Sequence, residues 1–206
     1  MFFHRDKEKA RAKELKKKQE KFRQDFLEAC GSGKREDIEK FVADGANVND
    51  LNGGRTPLYY AVLANNLEAV RVLLDKGARV NARVAGVNGS FGFSDYIGTT
   101  PLLIAAQRKY TAVAMLLIDK GADVTATDNY KLTALHYAAK RGDDALARRL
   151  VDKGADVLTK DRWKRTPEYY AFLNDHRVLG AYLSQQMVQT PNPHPKEKPN
   201  TPPPSP

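Results

Sequence analysis

Apolar residues along the chain come in short runs at helical spacing. Val70, Val72, Leu73 and Leu74 form one run, and Leu116, Leu117 and Ile118 form another. A glycine follows just past each run, Gly77 and Gly121, where a left-handed helix C-cap favours it. Ahead of each run lies another helical segment containing paired small residues, such as Ala105–Ala106 or Ala138–Ala139. A glycine closes that segment in two places, Gly33 and Gly142, and reverses the chain. The stretches between are polar and turn-rich, as in ADVTATDNYKL. The pattern predicts helix–turn–helix modules linked by projecting fingers. No module hides its own apolar face, so stacking must supply the core.

Two landmarks make the modules a repeat. The segments headed by Thr56, Thr100, Thr133 and Thr166 are spaced by 44, 33 and 33 residues, and the first, second and fourth read Thr-Pro. The pair Gly-Ala recurs at Gly45, Gly77, Gly121 and Gly154, with spacings of 32, 44 and 33. Both give a period near 33 with one insertion of 11 residues. The clearest copy, Asp128–Lys160, reads DNYKLTALHYAAKRGDDALARRLVDKGADVLTK. It resembles the ankyrin-repeat pattern, and the resemblance covers about residues 24–187. It implies an all-α solenoid of helix–turn–helix units with β-hairpin or turn fingers. The expected organisation is a basic helical extension (1–23), repeat units near 24–49, 50–82, 83–126, 127–159 and 160–187, and a disordered Pro-rich tail (188–206). The outermost units read as caps, with Glu39 and Lys40 in the first and Ser184 and Gln185 in the last making their outer faces polar.

His136 raises the question of chemistry. It fills the fourth place of the Thr-headed motif, which holds Tyr59, Leu103 and Tyr169 in the other units. The resemblance implies a structural histidine whose ring nitrogens bond backbone in the adjacent finger. A metal or catalytic role needs partners, and no His or Cys stands at ligand spacing. GSGK at Gly31–Lys34 fails as a phosphate loop, because Glu28 replaces the first glycine and Arg35 the hydroxyl residue. No paired-carboxylate, Ser-His or Cys-His set emerges. The expectation is a non-enzyme with no catalytic residue, metal or cofactor.

Composition narrows the setting. The longest apolar run, Ala112–Ile118, is far below the ~18 residues needed to cross a bilayer. The single Cys30 fits a reducing compartment, and the N-terminus lacks the apolar core of a secretory signal. A cytoplasmic monomer is expected, with signal-independent export left open. The net charge of +9 is uneven: residues 1–23 carry ten Lys or Arg against four acids. Residues 4–30 lack Pro and Gly, which predicts a long helix with Leu15, Phe22 and Phe26 packed on the first unit. Eight of eleven prolines follow Thr190. Lys196, Pro199 and Pro202 match a PPII-ligand pattern, which proline this frequent produces by chance.

Without chemistry, function falls to a surface. The resemblance implies that inner helices and finger tips line a concave wall for a partner protein. The residue after the histidine place points there in this reading: Tyr60, Ile104, Tyr137 and Tyr170. Leu63, Arg108, Lys140 and Arg141 follow on the same face, and Tyr130, Arg162 and Trp163 come from the fingers. Exposed tyrosines act as interface residues. The inserted finger, RVAGVNGSFGFSDYIG, adds Phe91, Phe93 and Tyr96. Lys131 and Lys164 stand where Gly54 and Gly98 occupy the finger turn, so a positive φ would strain them. The expected ligand is a protein, with an acidic surface favoured. The alternative is nucleic acid or an anionic membrane gathered by the N-terminal helix.

Overall fold

The computed structural model describes residues 2–85 and 98–189. Its helices are α1 (Phe2–Ser32), α2 (Arg35–Ala43), α3 (Pro57–Leu63), α4 (Leu67–Asp75), α5 (Pro101–Arg108), α6 (Thr111–Asp119), α7 (Ala134–Arg141), α8 (Asp144–Asp152), α9 (Pro167–Leu173) and α10 (Arg177–Gln189). The α3, α5, α7 and α9 helices start alike. Thr56, Thr100, Thr133 and Thr166 accept a hydrogen bond from the amide three residues on, satisfying one orphan donor of the first turn. Proline at the first helical position costs nothing there, since its missing N–H has no partner to lose.

Packing follows the period. The odd-numbered helices contact one another in order, α1–α3–α5–α7–α9, and the even-numbered ones pack as α2–α4–α6–α8. Leu58, Leu102 and Leu135 hold one repeated place, and Leu73, Leu117, Leu150 and Leu183 another; all are essentially inaccessible. Ala105, Ala106, Ala138 and Ala139 are likewise buried, which lets neighbouring helices approach closely. Gly142 adopts φ +61°, and a Cβ there would lie 2.5 Å from the His176 ring, so only glycine suits that turn. The fingers are turns carrying the isolated bridges Asn52–Arg55 and Thr127–Thr133, with no extended strand among the described residues.

The basic extension and the first inner helix form one uninterrupted element. The 31 residues of α1 reach about 46 Å. Phe22 and Phe26 pack on Phe41 at 5.4 and 5.8 Å between ring centroids. Leu15 does not join them. It is 57% exposed, within a stretch of α1, residues 7–21, that is exposed throughout. Lys131 and Lys164 do have positive φ, 61° and 63°, at a cost of about 1 kcal/mol each. The expected disordered tail begins two residues later than predicted, since Val188 and Gln189 belong to α10; residues 190–206 lie outside the described residues.

The terminal face is polar only in part. Glu168 occupies the place of Leu135 and accepts a hydrogen bond from Ser184. Tyr169, Phe172 and Leu173 on the same helix nevertheless stand open, 45, 48 and 60% exposed.

Candidate partner-binding surface

Two finger aspartates organise the surface. Asp128 Oδ1 accepts from the amides of Tyr130 (2.8 Å) and Leu132 (2.9 Å), closing the turn, while Oδ2 accepts from the Tyr137 hydroxyl at 2.5 Å. Asp161 repeats this one finger later. Its Oδ1 takes the amides of Trp163 (2.8 Å) and Arg165 (2.9 Å), and its Oδ2 the Tyr170 hydroxyl at 2.6 Å. Burial and the carboxylate partners push both phenols up, Tyr170 to about 12. Burial would also raise the Asp161 carboxyl. The Tyr170 hydroxyl, the two amides and the Arg165 charge outweigh it and hold Asp161 below the usual carboxylate range.

This network corrects the expectation of an open row of groove tyrosines. Tyr137 and Tyr170 are only 7 and 6% exposed, and Ile104 only 1%. Each tyrosine is drawn down by the aspartate nine residues before it, and Ile104 is covered by packed neighbours. Leu51 stands nine residues before Tyr60, and Tyr60 stays half-exposed, edge-on to Tyr59 at 5.4 Å. Tyr60 and Leu63 line an open concavity with Gln24 and Leu27. Among the residues one place after the motif histidine, the pairing was legible as an aspartate nine residues before a tyrosine, at Asp128/Tyr137 and Asp161/Tyr170.

The remaining predicted residues divide. Arg108, Lys140 and Arg141 are exposed, and Arg141 also donates from Nε to the Gln107 carbonyl at 2.8 Å. At the finger tips Arg162 is exposed, and Tyr130 and Trp163 stack at 5.7 Å and 16°, each about half exposed. Phe91, Phe93 and Tyr96 lie outside the described residues. Sequence reasoning passed over Tyr169 and Phe172. Phe172 was detectable, since a large ring replaces the Val62, Ala106 and Ala139 of other units.

His136 is structural. Its Nε2 lies 3.1 Å from the Arg165 carbonyl in the next finger, and Nδ1 lies 3.2 Å from the Thr133 amide nitrogen. The carbonyl can only accept, which assigns the neutral Nε2–H tautomer with Nδ1 as acceptor. Burial lowers its pKa below the ordinary 6.5, against the pull of the Arg165 carbonyl, Asp161 and Asp128. Protonation would set a second donor against the Thr133 amide. A depressed folded pKa gives stability that is present above pH 6.5 and lost as pH falls through the folded value. Denaturant midpoints at neutral pH and near pH 5.5 should therefore differ by up to about 1 kcal/mol of stability. In His136→Asn that part of the difference should vanish. Cys30 is buried with its thiol pushed up to about 12, which keeps it unreactive. No cluster of metal-ligating side chains exists among the described residues, and no helix there is long and apolar enough to cross a membrane.

Stacked helix–turn–helix units, threonine-capped inner helices and an interlocked row of fingers define a repeat solenoid that displays side chains along one wall. The chain matches a family model described as ankyrin repeats, in three copies, over residues 12–84, 86–161 and 102–190. It belongs to the ankyrin-repeat family. It is 36% identical over 104 residues to the E3 ubiquitin-protein ligase KEG of Arabidopsis thaliana, covering 50% of this chain and 6% of that protein. Against neurogenic locus notch homolog protein 1 of Xenopus laevis it is 36% identical over 93 residues, 45% of this chain and 3% of that protein. Against BRCA1-associated RING domain protein 1 of Caenorhabditis elegans the identity is 35% over 87 residues, 42% and 11% of the two chains. The chain thus spans only a small part of each relative's length. Ankyrin repeats are in general protein–protein interaction modules, and the family is typically non-catalytic.

Proposed function

We propose that this chain is a non-catalytic binding module, an adaptor, inhibitor or targeting unit in the cytoplasm, whose repeat stack (24–187) holds a partner protein against its finger tips and open inner wall. The observation that carries the reading is the Tyr130–Trp163 stack. Two large rings stand half exposed at neighbouring finger tips, held there by buried Asp128 and Asp161. Rigid, amphipathic rings on a fixed scaffold suit protein recognition. Tyr60, Leu63, Arg108, Lys140, Arg141 and Arg162 extend the same surface.

The test compares the intact chain with Tyr130→Ser/Trp163→Ser in pull-downs at low and high salt. The double variant should unfold at nearly the wild-type midpoint, because both rings are already half in water, yet lose specific partners. Partners held equally by both forms would refute the reading. Capture of nucleic acid alone, falling linearly in log salt, would replace it with binding through the basic α1 helix.

A further inference from the structure

We infer that the open end of α9, with Arg165 beside it, docks an acidic segment of a partner protein anchored by an aromatic or aliphatic side chain. This rests on the protein-binding reading above and gives that reading a place and a ligand chemistry.

Arg165 precedes the cap residue Thr166, at the place held by Arg55, Thr99 and Leu132 in other units. Its guanidinium carbon lies 4.7 Å from the Trp163 ring centroid, 5.7 Å from Tyr169 and 5.4 Å from Tyr170. Nε sits 3.6 Å from Asp161 Oδ2, an ion pair too long to be a hydrogen bond. That Nε has no hydrogen-bond partner among the described residues. Asp161 already receives two amides on Oδ1 and the Tyr170 hydroxyl on Oδ2, so most of its acceptor sites are taken. The result is a guanidinium held among three rings, its Nε buried and its side chain 31% exposed, which leaves its terminal nitrogens to meet a carboxylate. Pre-ordering removes the rotamer cost that a free arginine would meet on binding.

The surroundings supply the rest. Lys131, Arg162 and Lys164 are exposed around the two finger tips, whereas Asp128 and Asp161 are buried and Glu168 is half-buried against Ser184. The accessible charge around the finger tips is therefore positive and complements an acidic ligand, while exposed Asp175 beyond Leu173 is paired with Arg177. Tyr169, Phe172 and Leu173 share one concavity with Lys164, Arg165, Thr166 and Glu168, whose carboxylate accepts from the Ser184 hydroxyl. Phe172 is seated on Gly180, where a Cβ would fall 2.8 Å from its ring, so the apolar floor is fixed in place. A peptide is favoured over nucleic acid. Trp163 is already stacked on Tyr130 and contacted by Arg165, so a base would have to displace one of them to stack there, and Leu173 offers a base no stacking face.

The experiment pans a random peptide display library on the full chain. Affinities of enriched peptides are then measured for the chain and for Arg165→Gln, Leu173→Ser and, at the other end of the wall, Leu63→Ser. Leu173 is 60% exposed, so its replacement keeps the test valid should Arg165→Gln disturb the finger. Enriched peptides should carry Asp or Glu near an aromatic or aliphatic residue. They should weaken about tenfold or more with Arg165→Gln and with Leu173→Ser, and hold with Leu63→Ser. Peptides lost only with Leu63→Ser would overturn this site while leaving the protein-binding reading intact. Enrichment of basic peptides at the α9 end would overturn the ligand chemistry. No enrichment would overturn both readings. Arg165-dependent binding of a single-stranded DNA oligonucleotide at ~150 mM salt would overturn the peptide in favour of nucleic acid.

Discussion

Leu135→Ala is expected to cost about 3–5 kcal/mol of unfolding free energy. Leu135 is fully buried in α7, which packs on both α5 and α9, so the cavity opens in the middle of the stack. The interior there is built from closely set alanines on short helices, and such a lattice cannot collapse onto the hole without separating neighbouring units. A solenoid is stabilised by its nearest-neighbour interfaces. The loss should therefore also loosen the coupling between the two halves of the stack, broadening the denaturant transition as well as lowering its midpoint. A shift below about 1 kcal/mol would mean that the α5–α7–α9 contacts contribute far less than their burial implies.

Asp161→Ala should cost about 3 kcal/mol, and it strikes the candidate site directly. The carboxylate is the acceptor for two backbone amides and the Tyr170 hydroxyl. Deleting it strands three donors, although water can reach the backbone pair at the finger edge, which keeps the loss near the lower end of the sum. Asp161→Asn retains an acceptor for the amides and disturbs the Tyr170 contact and the long Arg165 ion pair, so it should cost roughly 1 kcal/mol. A double-mutant cycle with Tyr170→Phe separates the two contributions. Trp163, the chain's one tryptophan, reports the finger independently, and its emission should shift to the red in Asp161→Ala as the Tyr130 stack opens. An unchanged emission would show that the finger holds its shape without the aspartate.

Several of these features were open to reading in the residues. The threonine caps, the glycine closures and the period near 33 are local, and His136 was assigned its inter-finger role from its place in the motif. The groove tyrosines were misread for an equally physical reason. A tyrosine one place after the motif histidine can lie on the wall or fold down onto its own finger, and backbone periodicity does not distinguish the two. The carboxylate at Asp128 or Asp161 decides, by offering the hydroxyl an acceptor at the right reach. Where Leu51 takes that place, Tyr60 is half-exposed.

By itself, the amino-acid order set the helices, their starts and stops, their repetition and the need to stack, because caps, turns and 3.6-residue periodicity act over a few neighbouring residues. Only the tertiary structure decided which side chains face water. Tyr137 and Tyr170 went inside, and Tyr169, Phe172 and Leu173 stayed out with Arg165 poised over its rings. Exposure depends on what packs across the gap between units, and that neighbour is 33 residues away in the chain.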